Sequence, residues 1–424
     1  MAGYECDLTT NTCVQSSSDA AVDGDVNLPD AGPSVIPVRL ALGGSHTCVL
    51  FDDQTIKCWG KSEFGQTGYA TTTPIGDDEN PSARGTVDVG EPVEEVSAGD
   101  DHTCVLLESG TVRCFGENMS YQLGYPDSEH DVGDDEVPGD VPAVDIGGTV
   151  AQVAAGNYHT CVVMEDKTIK CWAQGTFGKL GYGNTSTVVV PSSVGAIAVG
   201  ANVLQLAPGF AHTCALLEGN DVRCWGRGNE GQLGYNSTDN IGDTQAPNTV
   251  GIVDVGGEVT QVVAGVYHTC VRFTDGTVRC WGAGADGALG YGNYDTIGDT
   301  ELPSSVGPVS VGGSVVKLTA GAYHTCALLS DQTVRCWGRN ADGQLGYGIT
   351  DNIGDTEVPS SKGAVSVGGK VLDIDAGDFH TCVILEGAAV RCWGRNTSGQ
   401  LGYGHTETIG DTELPHTQGP VELR

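Results

Sequence analysis

The tripeptide His-Thr-Cys occurs seven times in the sequence, at a nearly constant spacing of 53 to 57 residues. Ten residues after the Cys of each copy comes a second Cys, followed by Trp in six copies and by Phe115 in the other. Gly-Gln-Leu-Gly-Tyr or a close variant then completes the motif. A repeat of this length is one supersecondary unit that cannot bury its apolar face alone. The chain must therefore stack seven such units or close them into a ring. The copies begin at His46, His102, His159, His212, His268, His324 and His380.

Each repeat has the pattern of several short antiparallel strands. In the sixth repeat, two β-rich runs at residues 324–329 and 333–337 flank a short turn. In the fifth repeat the turn is Thr274-Asp275-Gly276, the composition of a three-residue hairpin loop with Gly in the left-handed position. A further strand is predicted at residues 364–367, and no segment holds a helical period over ten residues. Four strands per unit, repeated seven times, predict an all-β, seven-bladed β-propeller over residues 38–424.

The two ends of the repeat region favour a closed ring over an open solenoid, whose end units would carry polar caps. Residues 419–424 match the first half of the junction at 307–318, and residues 37–40 match its second half. We therefore expect the N- and C-terminal strands to close the ring, which removes free sheet edges.

The charge of the chain excludes several classes of partner. It carries 20 Lys and Arg against 55 Asp and Glu, for a net charge of −35. Nucleic acids and anionic membranes bind clustered basic residues, which this chain lacks. No apolar stretch approaches the roughly 20 residues that a spanning helix needs. We expect a monomer that does not insert into membranes and whose partners are cations, proteins or glycans.

The motif Gly-x-x-His-Thr, Trp-Gly and Gly-Gln-Leu-Gly resembles the repeat of the regulator of chromosome condensation family, and the resemblance covers residues 38–424. It implies a propeller, but members of similar architecture include a nucleotide exchange factor for a nuclear GTPase, secreted bacterial inhibitors of β-lactamase and surface proteins. The paired cysteines and the longer loop look like the bacterial, extracellular branch. They depart from the nuclear pattern, so exchange activity is not expected.

Sixteen cysteines form eight local pairs. Counting outward from the loop at Asp275, Cys270 faces Cys280, and facing residues on antiparallel strands lie within disulfide range. The alternative is a metal site built from His324, Cys326 and Cys336, but structural zinc takes four ligands. Disulfides imply an oxidising, extracellular or cell-surface compartment. The predicted pairs are Cys6 with Cys13, Cys48 with Cys58, Cys104 with Cys114, Cys161 with Cys171, Cys214 with Cys224, Cys270 with Cys280, Cys326 with Cys336 and Cys382 with Cys392.

The repeated His, Trp and Tyr residues are interpreted as structural, because a catalytic residue need occur only once. We expect each His to cap backbone groups of the neighbouring loop, and each Trp to pack between blades. Catalytic signatures such as Gly-x-Ser-x-Gly are absent from the sequence. An enzyme is therefore less favoured than a binding protein.

An acidic loop, Ile-Gly-Asp-Thr-Glu-x-Pro or a variant, recurs in six repeats. Alternating carboxylates can ligate calcium, which prefers six to eight oxygens. The alternative is an Asx-turn in which Asp closes its own loop. The candidate calcium ligands are Asp243, Asp295, Asp299, Glu301, Asp351, Asp355, Glu357, Asp411 and Glu413. No cofactor is otherwise expected.

Residues 1–37 are predicted to be an N-terminal arm, with Cys6 and Cys13 followed by a flexible tether rich in Ser, Asp, Ala and Pro. The predicted function is a secreted or cell-surface scaffold that presents loops to a protein or glycan. The alternative is an enzyme with an asymmetric site in the central channel or on the loop face. Either site would need departures from the repeat, and the candidates are Phe115, Met119, Tyr121, Gln174, Phe177 and Lys179.

Overall fold

The computed structural model describes residues 35–127 and 130–424, together with the backbone of β1 (Tyr4–Asp7) and β2 (Thr12–Gln15). The chain divides into two units, Met1–Val35 and Ile36–Arg424. In the first unit β1 and β2 pair antiparallel, with Cys6 opposite Cys13. The predicted bond between these two side chains lies outside the described residues, as does most of the predicted tether.

The second unit is all-β and contains seven antiparallel sheets of three strands each, as expected for seven blades. In every sheet the strands are ordered as they follow along the chain, so each strand pairs with the next one. Sheet 1 contains β3 (Pro37–Leu42), β4 (His46–Phe51) and β5 (Ile56–Gly60); sheet 2 contains β6 (Val93–Ala98), β7 (His102–Leu107) and β8 (Val112–Gly116); sheet 3 contains β9 (Val150–Ala155), β10 (Thr160–Met164) and β11 (Ile169–Trp172); sheet 4 contains β12 (Val203–Pro208), β13 (His212–Leu217) and β14 (Val222–Gly226); sheet 5 contains β15 (Val259–Ala264), β16 (His268–Phe273) and β17 (Val278–Gly282); sheet 6 contains β18 (Val315–Ala320), β19 (His324–Leu329) and β20 (Val334–Gly338); sheet 7 contains β21 (Val371–Ala376), β22 (His380–Leu385) and β23 (Val390–Gly394).

The helices of the described residues are single 3₁₀ turns in the connections. Most of them begin at the Pro that ends the acidic loop, because Pro fits the first position of a helix, where its missing N–H is not needed. They are Pro81–Ala83, Pro138–Asp140, Thr176–Gly178, Pro191–Ser193, Pro247–Thr249, Ala285–Gly287, Pro303–Ser305, Pro359–Ser361 and Pro415–Thr417. No helix in the described part of the chain is long and apolar enough to cross a membrane.

The second and third strands of each sheet form the predicted hairpin. In sheet 5, Gly276 has a φ of 80° and its N–H donates to the Phe273 carbonyl at 3.0 Å. The Asp275 carboxylate accepts the Thr277 N–H at 2.9 Å, which fixes the loop. This register places the two cysteines of each sheet opposite one another, and all seven within-sheet disulfides are formed. They join Cys48 to Cys58, Cys104 to Cys114, Cys161 to Cys171, Cys214 to Cys224, Cys270 to Cys280, Cys326 to Cys336 and Cys382 to Cys392.

The fourth strand predicted for each repeat is not confirmed. Residues 364–367 are not in a strand, although the Val365 N–H donates to the Val334 carbonyl at 2.9 Å. The Val367 carbonyl accepts the Arg391 guanidinium at 2.9 Å instead of continuing a ladder. Ile353 of the long loop adds only an isolated bridge to Gly338. Alternating apolar residues in this segment therefore contact the sheet without becoming one of its strands.

Adjacent sheets are joined through the turn that follows each third strand. The carbonyl of Gln400 in sheet 7 accepts both the Thr47 hydroxyl and the Trp59 indole N–H of sheet 1, each at 2.9 Å. The other five Trp residues make the equivalent bond and are fully buried, so the prediction that they pack between blades agrees with their position. In sheet 2, Phe115 occupies the Trp position without an N–H to donate.

The repeated His residues bond across sheets and do not cap a neighbouring backbone group as expected. Each His Nε2 lies 2.8 to 3.0 Å from the Thr hydroxyl of another sheet, and each ring is almost completely buried. Six bonds run to the next sheet along the chain, and the seventh joins sheet 7 to sheet 1. The pairs are His46 with Thr103, His102 with Thr160, His159 with Thr213, His212 with Thr269, His268 with Thr325, His324 with Thr381 and His380 with Thr47.

Seven glycines, one at the bend after each first strand, lie very close to the equivalent glycine of a neighbouring sheet. A Cβ placed on any of them would lie 2.2 to 2.6 Å from the carbonyl oxygen of the equivalent glycine in a neighbouring sheet. Only glycine permits this approach, because real Cβ contacts are not so short. The seven are Gly43, Gly99, Gly156, Gly209, Gly265, Gly321 and Gly377, and Gly377 meets Gly43.

Candidate functional site at the channel mouth

The first strands of the seven sheets surround a central channel that encloses about 240 Å³. The bends between first and second strands line one end of it, with Asn157, Val266, Ala322 and Asp378 among the lining residues. In six sheets the turn after the third strand bonds to the bend of the same sheet, as where the Arg395 N–H donates to the Phe379 carbonyl at 2.9 Å. In sheet 3 the Gln174 N–H donates instead to the Ser120 carbonyl of sheet 2 at 3.0 Å. We call the face formed by these bends and turns the channel mouth.

Five aromatic residues at the bends form a continuous arc around the channel mouth, from sheet 3 to sheet 7. Successive ring centroids are 5.3 to 6.3 Å apart, within the range for favourable aromatic contacts. All five rings are partly exposed. This aromatic arc consists of Tyr158, Phe210, Tyr267, Tyr323 and Phe379.

Three arginines from the turns stack on the aromatic arc. The Arg227 guanidinium lies 5.4 Å from the Phe177 centroid and 5.3 Å from that of Tyr267. Arg339 lies between Tyr323 and Phe379, at 5.8 and 5.5 Å. Arg395 lies 3.8 Å from the Phe379 centroid and makes two 3.0 Å bonds to Asp342. Stacked guanidinium groups are held in place and still present N–H donors at their edges.

Sheets 1 and 2 give the other side of the channel mouth an acidic character. Here the bend and turn of sheet 2 carry Asp100, Asp101 and Glu117, and Lys61 of sheet 1 pairs with Asp101 at 3.1 Å. Burial raises the pKa of Glu117, and the charge of Asp101 adds to that effect. The channel mouth is therefore bipolar, with arginine and aromatic rings on one side and carboxylates on the other.

Asp378 of sheet 7 and Asp100 of sheet 2 meet above the bend of sheet 1. Burial, followed by the negative charge of Asp100, raises the pKa of Asp378 to about 7. Asn157 donates to Asp378 Oδ1 at 3.3 Å. Gly44 makes this arrangement possible, since a Cβ there would lie 2.0 Å from Asp100 Oδ1. Three different sheets thus contribute side chains to one polar cluster at the end of the channel.

Lys179 of sheet 3 is the buried cation of the channel mouth. Its side chain is only 4% exposed, and burial lowers the pKa of its ammonium group to about 8. Its backbone carbonyl accepts the Thr213 hydroxyl and the Trp225 indole N–H, each at 3.0 Å. The residue is thus held at the boundary between sheets 3 and 4, next to the stack of Arg227 on Phe177.

The structure separates the six binding candidates predicted from the sequence. Phe115 is completely buried between sheets and cannot reach a partner, whereas Met119 is 69% exposed and Phe177 43% exposed. Gln174 is exposed and Tyr121 partly exposed, both on turns at the channel mouth. Phe177 stacks on Arg227, and Lys179 lies two residues after Phe177 in the same turn. Sequence reasoning missed the aromatic arc, although an aromatic residue lies one position before His in repeats three, five, six and seven and two positions before it in repeat four, but not in the first two.

The nine predicted calcium ligands lie on the acidic loops, where neighbouring Thr residues bond to several of them. The Thr300 N–H donates to Asp299 at 2.8 Å, and its hydroxyl donates to Glu301 at 2.8 Å. The same bonds recur at Thr356 and Thr412. These bonds favour the self-closed turn, and calcium binding stays a prediction. Among described residues, acids close enough to share an ion are Asp77, Asp78 and Glu79, and Asp134, Asp135 and Glu136, which belong to the first two copies of the loop.

Comparison with known proteins places these features in a family. The family model described as "RCC1-like domain" matches residues 9–306, and the "Regulator of chromosome condensation (RCC1) repeat" matches residues 315–344, 371–400 and 333–384. The ultraviolet-B receptor UVR8 of Arabidopsis thaliana is 30% identical over 373 residues, which cover 87% of this chain and 79% of the receptor. The E3 ubiquitin-protein ligase HERC2 of Homo sapiens is 28% identical over 292 residues, 68% of this chain but only 6% of the ligase.

Solved structures show the same fold. Human WBSCR16 superposes with a TM-score of 0.67 at 21% identity, covering 84% of this chain and 88% of that one. Yeast RCC1 (Prp20), in a structure bound to Kap60, gives a TM-score of 0.65 at 17% identity, covering 94% and 91%. A second structure of Prp20p from Saccharomyces cerevisiae, described with its binding properties to Gsp1p and histones, gives 0.64 at 18% identity, covering 92% and 87%.

Proposed function

The chain belongs to the family of regulator of chromosome condensation repeats, and on this basis we propose that it is a scaffold that binds a protein partner at the channel mouth. The observation that carries this proposal is the aromatic arc with its stacked arginines. Tyr, Phe and Arg are enriched in protein interfaces, and Tyr and Arg dominate their binding energy. Here five partly exposed aromatic rings and three stacked arginines lie together on one side of one face.

The rigidity of the scaffold suits such a role. Each sheet carries one disulfide between its second and third strands, and the bends that hold the arc lie next to these strands. Side chains that are already ordered lose less conformational entropy when a partner binds. Little rearrangement of the face is therefore needed for binding.

Relatives supply independent support for a protein partner. One solved propeller of this fold is bound to Kap60, and another is described with its binding to Gsp1p and histones. Those partners belong to those proteins. For the present chain, the net charge of −35 argues against nucleic acid and leaves a protein with complementary charges as the proposed partner.

We also propose an extracellular or cell-surface location and a closed ring. Seven disulfides support an oxidising compartment. Closure is supported by the bonds between sheets 7 and 1, which include His380 to Thr47 at 2.8 Å and Lys57 Nζ to the Leu423 carbonyl at 2.9 Å. A closed ring would make the channel mouth one continuous surface.

The test is site-specific photo-crosslinking of the intact chain to surface proteins of the cells that produce it. A crosslinking residue replaces Phe177 or Met119 at the channel mouth, or Leu204 or Leu372 at the opposite ends of first strands as matched exposed controls. We expect one discrete adduct from the channel mouth that disappears when Arg339→Ala and Tyr323→Ala are added. Adducts only from the control positions would contradict the proposal, and an adduct that resists protease but not glycosidase would identify a glycan instead.

A further inference from the structure

Lys179 is an almost completely buried residue whose ammonium group has no counter-ion among the described residues. Among residues 35–127 and 130–424, no hydrogen bond or ion pair joins its Nζ to an acceptor, although its side chain is only 4% exposed. The chain has 55 acids for 20 bases, so acidic partners are abundant elsewhere. Burying an unpaired charge costs several kcal/mol, so such a group normally acquires a partner. The partner of Lys179 is therefore expected to come from outside the chain.

The other repeats show which residue type Lys179 replaces. The same position holds Gln in five repeats, and the Gln66 amide donates to Asp101 of the following sheet at 2.8 Å. In sheet 4 the residue equivalent to Asp101 is Ala211, which offers no acceptor. Gln122 instead donates to Glu117 of its own sheet, and the side-chain nitrogens of the other three Gln residues are buried without a partner. Lys179 therefore differs from those three by placing a cation, in place of a neutral amide, where no acceptor is within reach. The five Gln residues are Gln66, Gln122, Gln232, Gln344 and Gln400.

Arg227 adds a second, held cation at the same boundary. Trp225, two residues before it, donates to the Lys179 carbonyl, and Phe177, two residues before Lys179, stacks on the Arg227 guanidinium. The Nε of Arg227 donates to the Asn229 side chain. Its two Nη nitrogens have no acceptor among the described residues. Unpaired donors on a stacked guanidinium match the two oxygens of a carboxylate.

We infer that Lys179 and Arg227 form a carboxylate-binding site at the channel mouth, which receives an acidic side chain of the partner polypeptide. This inference rests on the proposed function and specifies which chemical group of the partner contacts sheets 3 and 4. Phe177, Phe210 and Tyr267 surround the site with aromatic rings, so an aromatic or apolar group next to the carboxylate is favoured.

The opposite side of the channel mouth limits the partner further. Asp100, Asp101 and Glu117 repel an extended polyanion but attract a basic side chain. A partner that crosses the channel mouth therefore carries an acidic group over sheets 3 and 4 and a basic group over sheets 1 and 2. This arrangement fits a polypeptide of mixed charge and not a nucleic acid.

The test uses 3-phenylpropionate as the probe and 3-phenylpropanamide, its neutral analogue of nearly equal shape, as the reference. Ligand-detected NMR measures the binding of each compound at about 150 mM NaCl. At this salt concentration the Debye length is about 8 Å, so distant charges on the protein are screened. We expect the propionate to bind the intact chain at least tenfold more tightly than the amide. Lys179→Gln, which restores the residue of five other repeats, should abolish the difference, and Arg227→Ala should reduce it.

Lys370→Gln is the matched control, because it removes the same charge from an exposed position in another sheet. It should leave the preference for propionate unchanged. Equal binding of propionate and amide at up to about 20 mM, or an unchanged preference in Lys179→Gln, would overturn the inference. Tighter binding of phenyl phosphate than of propionate would overturn the assignment to carboxylate.

The probe needs no natural partner, so the two proposals can fail separately. If the chain prefers the carboxylate but no protein is crosslinked, the carboxylate site is supported and the proposed scaffold function is contradicted. If a protein is crosslinked at position 177 but the chain shows no preference for the carboxylate, the scaffold function is supported and the carboxylate site is contradicted.

Discussion

The Nε2 nitrogen of His380 lies 2.8 Å from the hydroxyl oxygen of Thr47, and this bond joins the last sheet of the chain to the first. The Thr47 hydroxyl has one proton, which it donates to the Gln400 carbonyl at 2.9 Å. His380 must therefore be the donor in its bond to Thr47. Its Nδ1 is buried without a hydrogen-bond partner, so the ring is a neutral imidazole protonated at Nε2.

The same arrangement in every sheet makes the fold sensitive to acid. Burial lowers the pKa of five of these histidines to about 3, that of His268 to about 4 and that of His159 well below its usual value. In the unfolded chain they accept protons below about pH 6.5, so the free energy of unfolding falls as pH falls from 6.5 toward 4. Each His contributes up to about 1.4 kcal/mol per pH unit.

Asp378 opposes this trend, since its pKa of about 7 makes the folded state relatively more stable as pH falls from 7 toward 4. Glu136, whose pKa burial also raises to about 7, acts in the same direction, as do Asp100, Glu117 and Asp375, whose pKa values burial raises. We expect the loss from the seven imidazoles to exceed this gain. Denaturant titrations between pH 7 and 5 should show a steep loss of stability on acidification. Stability that is constant or rises toward pH 5 would show that the histidines are not held neutral.

Phe115→Trp is expected to stabilise the chain. Phe115 fills the position where six other sheets carry Trp, and the added indole N–H would reach the Gln66 carbonyl that already accepts the Thr103 hydroxyl. One more buried hydrogen bond contributes about 1 kcal/mol. Trp172→Phe is the matched reverse change and should lower stability by a similar amount. Urea denaturation measures both, and a destabilised Phe115→Trp would mean that the site cannot accept the larger ring.

All sixteen cysteines are expected to be oxidised. Alkylation under denaturing, non-reducing conditions should add no label, and mass spectrometry of proteolytic fragments should find each sheet's own pair linked. It should also link Cys6 to Cys13. Stoichiometric labelling, or peptides linked between different sheets, would refute the pairing.

Lys179→Gln is expected to increase stability at pH 7 by about 1 to 3 kcal/mol, because it removes an unpaired buried charge. The lowered pKa of Lys179 means that the unfolded chain binds the proton more tightly between pH 8 and 10.5. The stability of the unaltered chain should therefore rise, relative to the variant, as pH increases through that range. Denaturation at pH 7 and 9.5 measures this, with Lys370→Gln as the reference. A variant less stable at pH 7 would place a counter-ion near Lys179.

The repeat predicted the sheets well because its strongest signals are local. Paired cysteines, alternating residues and Asp275-Gly276 determine a hairpin without reference to the rest of the fold. The fourth strand failed because residues 364–367 alternate as a strand does, and only the tertiary structure shows that Arg391 takes the Val367 carbonyl.

The site was less predictable because it depends on contacts between repeats. Sequence reasoning selected Phe177 and Lys179 as departures from the repeat, but it gave no means of separating them from Phe115, which is buried. The partner of each His could not be inferred either, since Thr47 and His380 are more than three hundred residues apart. Four members of the aromatic arc occupy one aligned position, directly before His, and could have been found by comparing repeats, whereas Phe210 lies one residue earlier.

We propose that sheets 7 and 1 meet as any other neighbouring sheets do, which would make the channel mouth a continuous surface. Thr47→Val breaks the bonds to His380 and Gln400 at this junction, and Thr269→Val breaks the equivalent bonds to His212 and Gln232 within the chain. The free energy of unfolding of both variants, measured by urea denaturation, should fall by the same amount, about 1 to 3 kcal/mol, because each leaves a buried His N–H unpaired and removes one of the two donors to the Gln carbonyl. If Thr269→Val lowers the free energy of unfolding as expected but Thr47→Val leaves it unchanged, sheets 7 and 1 do not make the junction that the other neighbouring sheets make.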